Sequence, residues 1–78
     1  MSDPEVFLRV DKEPPTLEEA QELVGGMVEL VVLSDGDQML VNEEGLLYGL
    51  PYNQMASEVA NRHIVGNALI LRGKSKWT

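Results

Sequence analysis

At 78 residues with no cysteine, the chain has room for one domain with a thin margin of stability. Disulfide frameworks and thiolate metal sites are excluded. Thirteen acidic residues against six basic ones give a formal net charge of -7, which repels phosphate backbones, so direct nucleic-acid binding is not expected. No apolar run reaches the roughly 18 residues of a membrane span, and the opening residues 1–5 lack the basic and apolar regions of a signal peptide. A cytoplasmic protein without membrane contact is expected. The charge is uneven: every acid lies at or before Glu58, whereas Arg62, Arg72, Lys74 and Lys76 follow with no acid after them.

In chain order, Val6-Phe7-Leu8-Arg9-Val10 is a β-rich run between Pro4 and the Pro14-Pro15 pair, and reads as a first strand. Thr16 with Glu19 three residues on is a capping box, which opens a helix whose Leu17, Ala20, Leu23 and Val24 share a face. Gly25 suits the left-handed residue that ends a helix, and Gly26 frees the turn that follows. Met27 to Leu33 is apolar on both faces, the pattern of a central strand. Ser34-Asp35-Gly36-Asp37 is a turn, with Gln38-Met39-Leu40-Val41 as the returning arm of a hairpin. Asn42-Glu43-Glu44-Gly45 is a second turn, with Gly45 expected in a left-handed conformation and Leu46-Leu47-Tyr48 as a third arm. Asn53 is a good N-cap for a second short helix carrying Met55, Ala56, Val59 and Ala60 on one face. Ile64-Val65, a kink at Gly66-Asn67 and Ala68-Leu69-Ile70-Leu71 form the last strand. Residues 1–73 make one domain, and 74–78 read as a short, frayed, basic tail.

The fold expected is α+β: strand, helix, three-strand meander, helix, strand, in one mixed and mainly antiparallel sheet with the short helices on one face. Leu23-Val24-Gly25-Gly26 with Glu29, Asn42-Glu43-Glu44-Gly45, Gly49-Leu50-Pro51 with Asn53 and Ala56, and Ile64-Val65-Gly66, in that order, resemble a family of small domains of unknown function from bacteriophages and other mobile elements. The resemblance covers nearly the whole chain. It implies a bacterial host cytoplasm and supplies no catalytic residues.

Candidate sites are few. Asp35-Gly36-Asp37 and Asn42-Glu43-Glu44 offer oxygens without the ligand order of a calcium loop, so no metal site is assigned. His63 is the only histidine and has no nucleophile and orienting acid in motif spacing, so no catalytic residue and no cofactor is assigned. Free amides where Gly49-Leu50-Pro51-Tyr52-Asn53 opens the second helix suggest a nucleotide-like anion site. Tyr52, Asn53 and Arg62 are the residues assigned to it, with Tyr52 stacking and Asn53 donating; an ordinary Asn cap is the plainer reading. The apolar strand suggests an interface at Met27, Glu29, Val31 and Leu33, covered by a second copy in a homodimer or by another protein. Three functions follow: a non-enzymatic phage or mobile-element accessory protein that binds a host protein in defence or nucleic-acid processing, a small-molecule binding module, or an acidic DNA mimic.

Overall fold

A computed structural model describes residues 3–78. It contains β1 (Val6–Val10), α1 (Leu17–Val24), β2 (Val28–Val32), β3 (Gln38–Asn42), α2 (Gln54–Ala60) and β4 (Ala68–Arg72), closed by a 3-10 turn at Gly73–Ser75. The fold is α+β.

Local chemistry sets the ends of α1. The Glu19 amide donates to Thr16 Oγ1 at 3.1 Å and the Thr16 amide donates to Glu19 Oε1 at 2.9 Å, so the capping box is complete. That backbone donor, with Arg9 nearby, holds the Glu19 carboxyl below its ordinary value. Gly25 ends the helix at φ 81°, a left-handed conformation that costs glycine no steric clash.

The sheet order is β1-β4-β3-β2, with β1 parallel to β4 and the other pairs antiparallel. This corrects the placing of Met27 to Leu33 at the centre of the sheet: β2 is an edge strand. The centre belongs to β3 and β4, in which Met39 to Asn42 and Ala68 to Leu71 are buried without a break. Side chains alternate across these strands, so two apolar layers form. Val31, Leu33, Met39, Val41, Ala68 and Ile70 join Ala56 of α2 on one face. Leu40, Leu69 and Leu71 join Ala20 of α1 on the other, with Phe7, Leu23, Val28 and Trp77 packed around them. The helices therefore lie on opposite faces, not on one, because central strands apolar on both sides need cover on both.

Leu46-Leu47-Tyr48 is also not a strand. Hydrogen bonds from the Tyr48 amide to Glu44 O, from Gly49 to Leu46 O and from Leu50 to Gly45 O wind residues 43–49 into successive turns, leaving Leu46, Leu47 and Tyr48 exposed. Gly45 is absent from the left-handed positions. Its need for glycine is spatial, since a Cβ there would lie 2.7 Å from Val65 Cγ2.

The C-terminal residues are docked, not frayed. Ser75 is fully buried, its Oγ accepting from the Lys12 amide at 2.9 Å and donating to Lys12 O at 2.8 Å. Trp77 exchanges two backbone bonds with the Gln38 side chain, both 2.7 Å, and its indole N–H donates to Pro15 O at 2.9 Å. The tryptophan thus ties the chain end to β3 and to the loop before α1.

Two stability measurements follow. Trp77→Ala lowers the unfolding free energy by about 2 kcal/mol through lost packing, and Lys74→Ala changes it by less than about 0.5 kcal/mol; urea unfolding followed by far-UV circular dichroism checks both, and an unchanged midpoint for Trp77→Ala contradicts docking. Because the folded Glu19 pKa is lowered, its stabilisation is fully present above the ordinary value of 4.5 and fades as pH falls through the lower folded value. Glu19→Gln keeps the cap geometry without the titrating charge, so melts between neutral and acidic pH show a shallower acid-side loss than the parent chain.

Candidate functional site

The feature with the most to offer a partner is the free edge of β2, which pairs with β3 on one side only. Its backbone polarity follows from two bonds: the Leu33 amide donates to Asp37 O, and the Glu43 amide donates to Met27 O, both at 2.7 Å. In an antiparallel ladder the bonded positions alternate, so residues 27, 29, 31 and 33 turn their backbone groups toward β3. Val28, Leu30 and Val32 turn theirs outward.

Side chains add to the opportunity. Val32 is 69 % exposed and Leu30 39 %, and Met27 beside them is exposed as well. Sheet edges are ordinarily guarded by lysine, proline, bulges or inward charges. Between Met27 and Leu33 there is no lysine, proline or glycine, and the register with β3 runs unbroken from Val28 to Val32. The single charge, Glu29, projects to the α2 face and meets Arg62 at 3.4 Å. The opposite edge differs: β1 follows Pro4, carries Arg9 in reach of Glu13 O and Glu19, and is followed by Asp11, whose φ is 53°.

The four residues assigned to an interface are thus divided. Met27 is exposed and Glu29 is paired with Arg62, whereas Val31 and Leu33 are buried in the α2-side layer and offer no surface. The outward backbone groups belong to Val28, Leu30 and Val32, one residue out of phase, because the ladder to β3 uses those of the alternate positions.

The anion-site residues are not brought together. Asn53 is buried; its Oδ1 accepts from the Ala56 amide at 3.1 Å, and its Nδ2 donates to Glu5 O at 3.2 Å and to Gly66 O at 2.8 Å. Its amide protons are both spent on backbone, leaving none for a ligand. Tyr52 is exposed at the surface, its ring 5.0 Å from that of His63, and Arg62 is taken by Glu29. The neighbouring hollow, about 230 Å³, is bordered by Glu29, Glu43 and Glu44 together with Arg62 and His63, an acidic rim for an anion.

The acidic turns are structural. Asp35 Oδ1 accepts from the Asp37 amide at 3.0 Å, and Asp37 is buried against Arg72 Nε at 2.7 Å. That contact raises the Arg72 pKa above its ordinary value. Among the described residues no group of three or more histidines and carboxylates is placed to hold a metal. Thr16, Glu19 and Gly25 cap α1 as anticipated, while Gly26 gives room to the Asn42 amide, 2.9 Å from where a Cβ would stand.

Sequence reasoning missed two asparagines. Asn42 Nδ2 donates to Val24 O and Asn67 Nδ2 donates to Leu23 O, both at 3.1 Å, so the final carbonyls of α1 are satisfied from the ends of β3 and β4. Only their position beside strands and turns hinted at it.

The fold is a small α+β domain with one free sheet edge at β2. The chain belongs to the DUF3846 family of domains of unknown function, whose profile matches residues 1–78. Comparison with curated proteins and with solved structures gives no match.

Because Asn53 joins α2, β1 and the Gly66 turn, Asn53→Ala lowers stability by about 2–4 kcal/mol through a lost cap and the orphaned Gly66 carbonyl, the Glu5 carbonyl keeping its bond from the Ala68 amide. A thermal melt within a degree of the parent contradicts this structural role.

Proposed function

We propose that this protein is a small, non-enzymatic accessory protein of a phage or mobile element. It acts by binding a host protein in the bacterial cytoplasm, and the free β2 edge is its binding surface. The observation that carries the reading is the unguarded run from Val28 to Val32, with three residues offering outward backbone groups and apolar side chains flanking them. An extended segment of a partner laid along this edge gains main-chain hydrogen bonds, and Met27, Leu30 and Val32 select for apolar side chains on it. The phage or mobile-element origin rests on the four ordered segments described above, and the host class, a component of defence or nucleic-acid processing, follows from that origin.

The other readings have less support. A nucleotide-like ligand at Tyr52, Asn53 and Arg62 lacks its donor and its cation. A DNA mimic needs rows of free carboxylates, whereas Asp37, Glu29 and Glu19 are engaged with Arg72, Arg62 and Thr16.

Affinity capture from bacterial lysate with the tagged parent and two variants tests the proposal. Val32→Lys places a charge on the edge at a site where surface substitutions cost less than about 0.5 kcal/mol, and it abolishes capture of the partner held by the parent. Tyr52→Ala retains it. Raising salt to about 0.5 M leaves capture by the parent largely intact, whereas a charge-based mimic loses its partner. Equal capture by the parent and Val32→Lys overturns the edge as the binding surface.

A further inference from the structure

The β2 edge is complementary to itself. We propose that, free of any partner, two copies pair β2 with β2 antiparallel across a two-fold axis at Leu30, fusing the two four-stranded sheets into one of eight strands. This rests on the reading of β2 as a binding edge and names the occupant of that edge when no other protein holds it.

The register is decided by hydrogen-bond parity and by one carboxylate. Only Val28, Leu30 and Val32 have backbone groups pointing outward, so bonded pairs across the axis must be drawn from these three. Setting Leu30 opposite Leu30 of the second copy also sets Val28 opposite Val32 and Val32 opposite Val28. All the outward groups of the strand are then used. Sliding by two residues one way pairs Val28 with Leu30, leaves Val32 without a strand residue opposite, and sets Glu29 directly against Glu29, a destabilising like-charge pair. Sliding the other way pairs Leu30 with Val32 and leaves Val28 facing Ser34 of the hairpin turn. The Leu30-centred register wins on both counts. In it each Glu29 lies opposite Val31, with its own Arg62 at 3.4 Å to neutralise it.

Side chains agree with the backbone. Opposed residues of an antiparallel pair share a face, so Leu30 meets Leu30 and Val28 meets Val32 on the α1 side, where Leu30 and Val32 are otherwise exposed. β-Branched and aliphatic cross-strand pairs are the favourable kind. The charge along the edge selects against a charged occupant strand. Along the edge there is no free charge for a basic strand to answer, and an acidic strand meets a molecule of net charge -7. The chain's own β2 is a neutral, apolar strand of matching length. Two such molecules still repel at long range, so added salt strengthens self-pairing by screening, and a host protein that takes the edge does so by displacing the second copy.

Two measurements on the intact chain test this: sedimentation over a range of protein and salt concentration, and amide hydrogen exchange by NMR. The mass rises with concentration from 8.6 kDa toward twice that value, more readily at higher salt. In the associated form the Val28, Leu30 and Val32 amides become protected together. Val32→Lys weakens association by about tenfold or more, the equivalent of about 1.4 kcal/mol. Protection limited to Leu30 and Val32, or to Val28 and Leu30, overturns the Leu30-centred register. A dimer in which all three amides exchange freely overturns self-pairing through β2. A mass that stays at that of one chain, with the three amides unprotected, overturns self-pairing yet leaves the edge open to a host protein. A monomer in which they are protected overturns both readings, because its own chain then covers the edge.

Discussion

The structure depends on where β4 goes. The last strand of the chain inserts between the first strand and the hairpin, parallel to β1 and antiparallel to β3, and Ala68 to Leu71 are buried on both faces as a result. Without that insertion β1 has no neighbour, the two apolar layers lose their shared middle, and neither short helix has a floor. Helices of eight and seven residues are too short to persist alone in water, so the sheet that β4 completes is what makes them helices. The insertion also displaces β2 to the outside. The edge on which the proposed function rests is a by-product of closing the core.

A domain of this size has little apolar area to spare, and buried side-chain amides and hydroxyls fasten what the core alone does not. Asn42 and Asn67 terminate α1, Asn53 begins α2, and Asn53 and Asn67 both hold Glu5 at the start of β1. Ser57 Oγ brackets Ile64 by bonding its amide at 2.8 Å and its carbonyl at 3.1 Å, and Ser75 does the same to Lys12. None of the described buried side-chain polar atoms lacks a partner. Groups satisfied this fully specify one arrangement of the connections, since any slip strands a buried donor or acceptor at a cost of about 1–3 kcal/mol.

What was legible in the sequence is what local physics decides. The capping box at Thr16 and Glu19, the left-handed Gly25, the Asn53 cap and the hairpin around Gly36 are each written within four residues, and the structure has them all. Pairing partners are not local. The apolar residues on both faces of Met27 to Leu33 read as a central strand, but Val31 and Leu33 serve the α2-side core while Val28, Leu30 and Val32 line the other face and the rim. The run Leu46-Leu47-Tyr48 has strand-like residues, yet turn bonds begun at Glu44 and Gly45 take it first. Lys74 to Thr78 has the composition of a loose end, and contacts distant in sequence, from Ser75 to Lys12 and from Trp77 to Gln38 and Pro15, fix it. The anion-site reading of Asn53 failed for a related reason: its side chain is committed to carbonyls that are distant in sequence.

The edge proposed as the binding surface is held rigidly. Val31 and Leu33 anchor β2 from below, Glu29 is clasped by Arg62, and the whole strand is bonded to β3, so an incoming strand meets groups already fixed in extended geometry. Such preorganisation removes much of the ordering entropy that peptide binding otherwise costs. It also links occupancy to folding, because a strand that binds the folded edge and not the unfolded chain raises the stability of a domain whose own margin is small. An unguarded edge is a hazard for association, and net charge of one sign is a general defence against it. A charge of -7 on 78 residues therefore fits the proposed pairing, in which copies repel at a distance and meet only along one apolar strip.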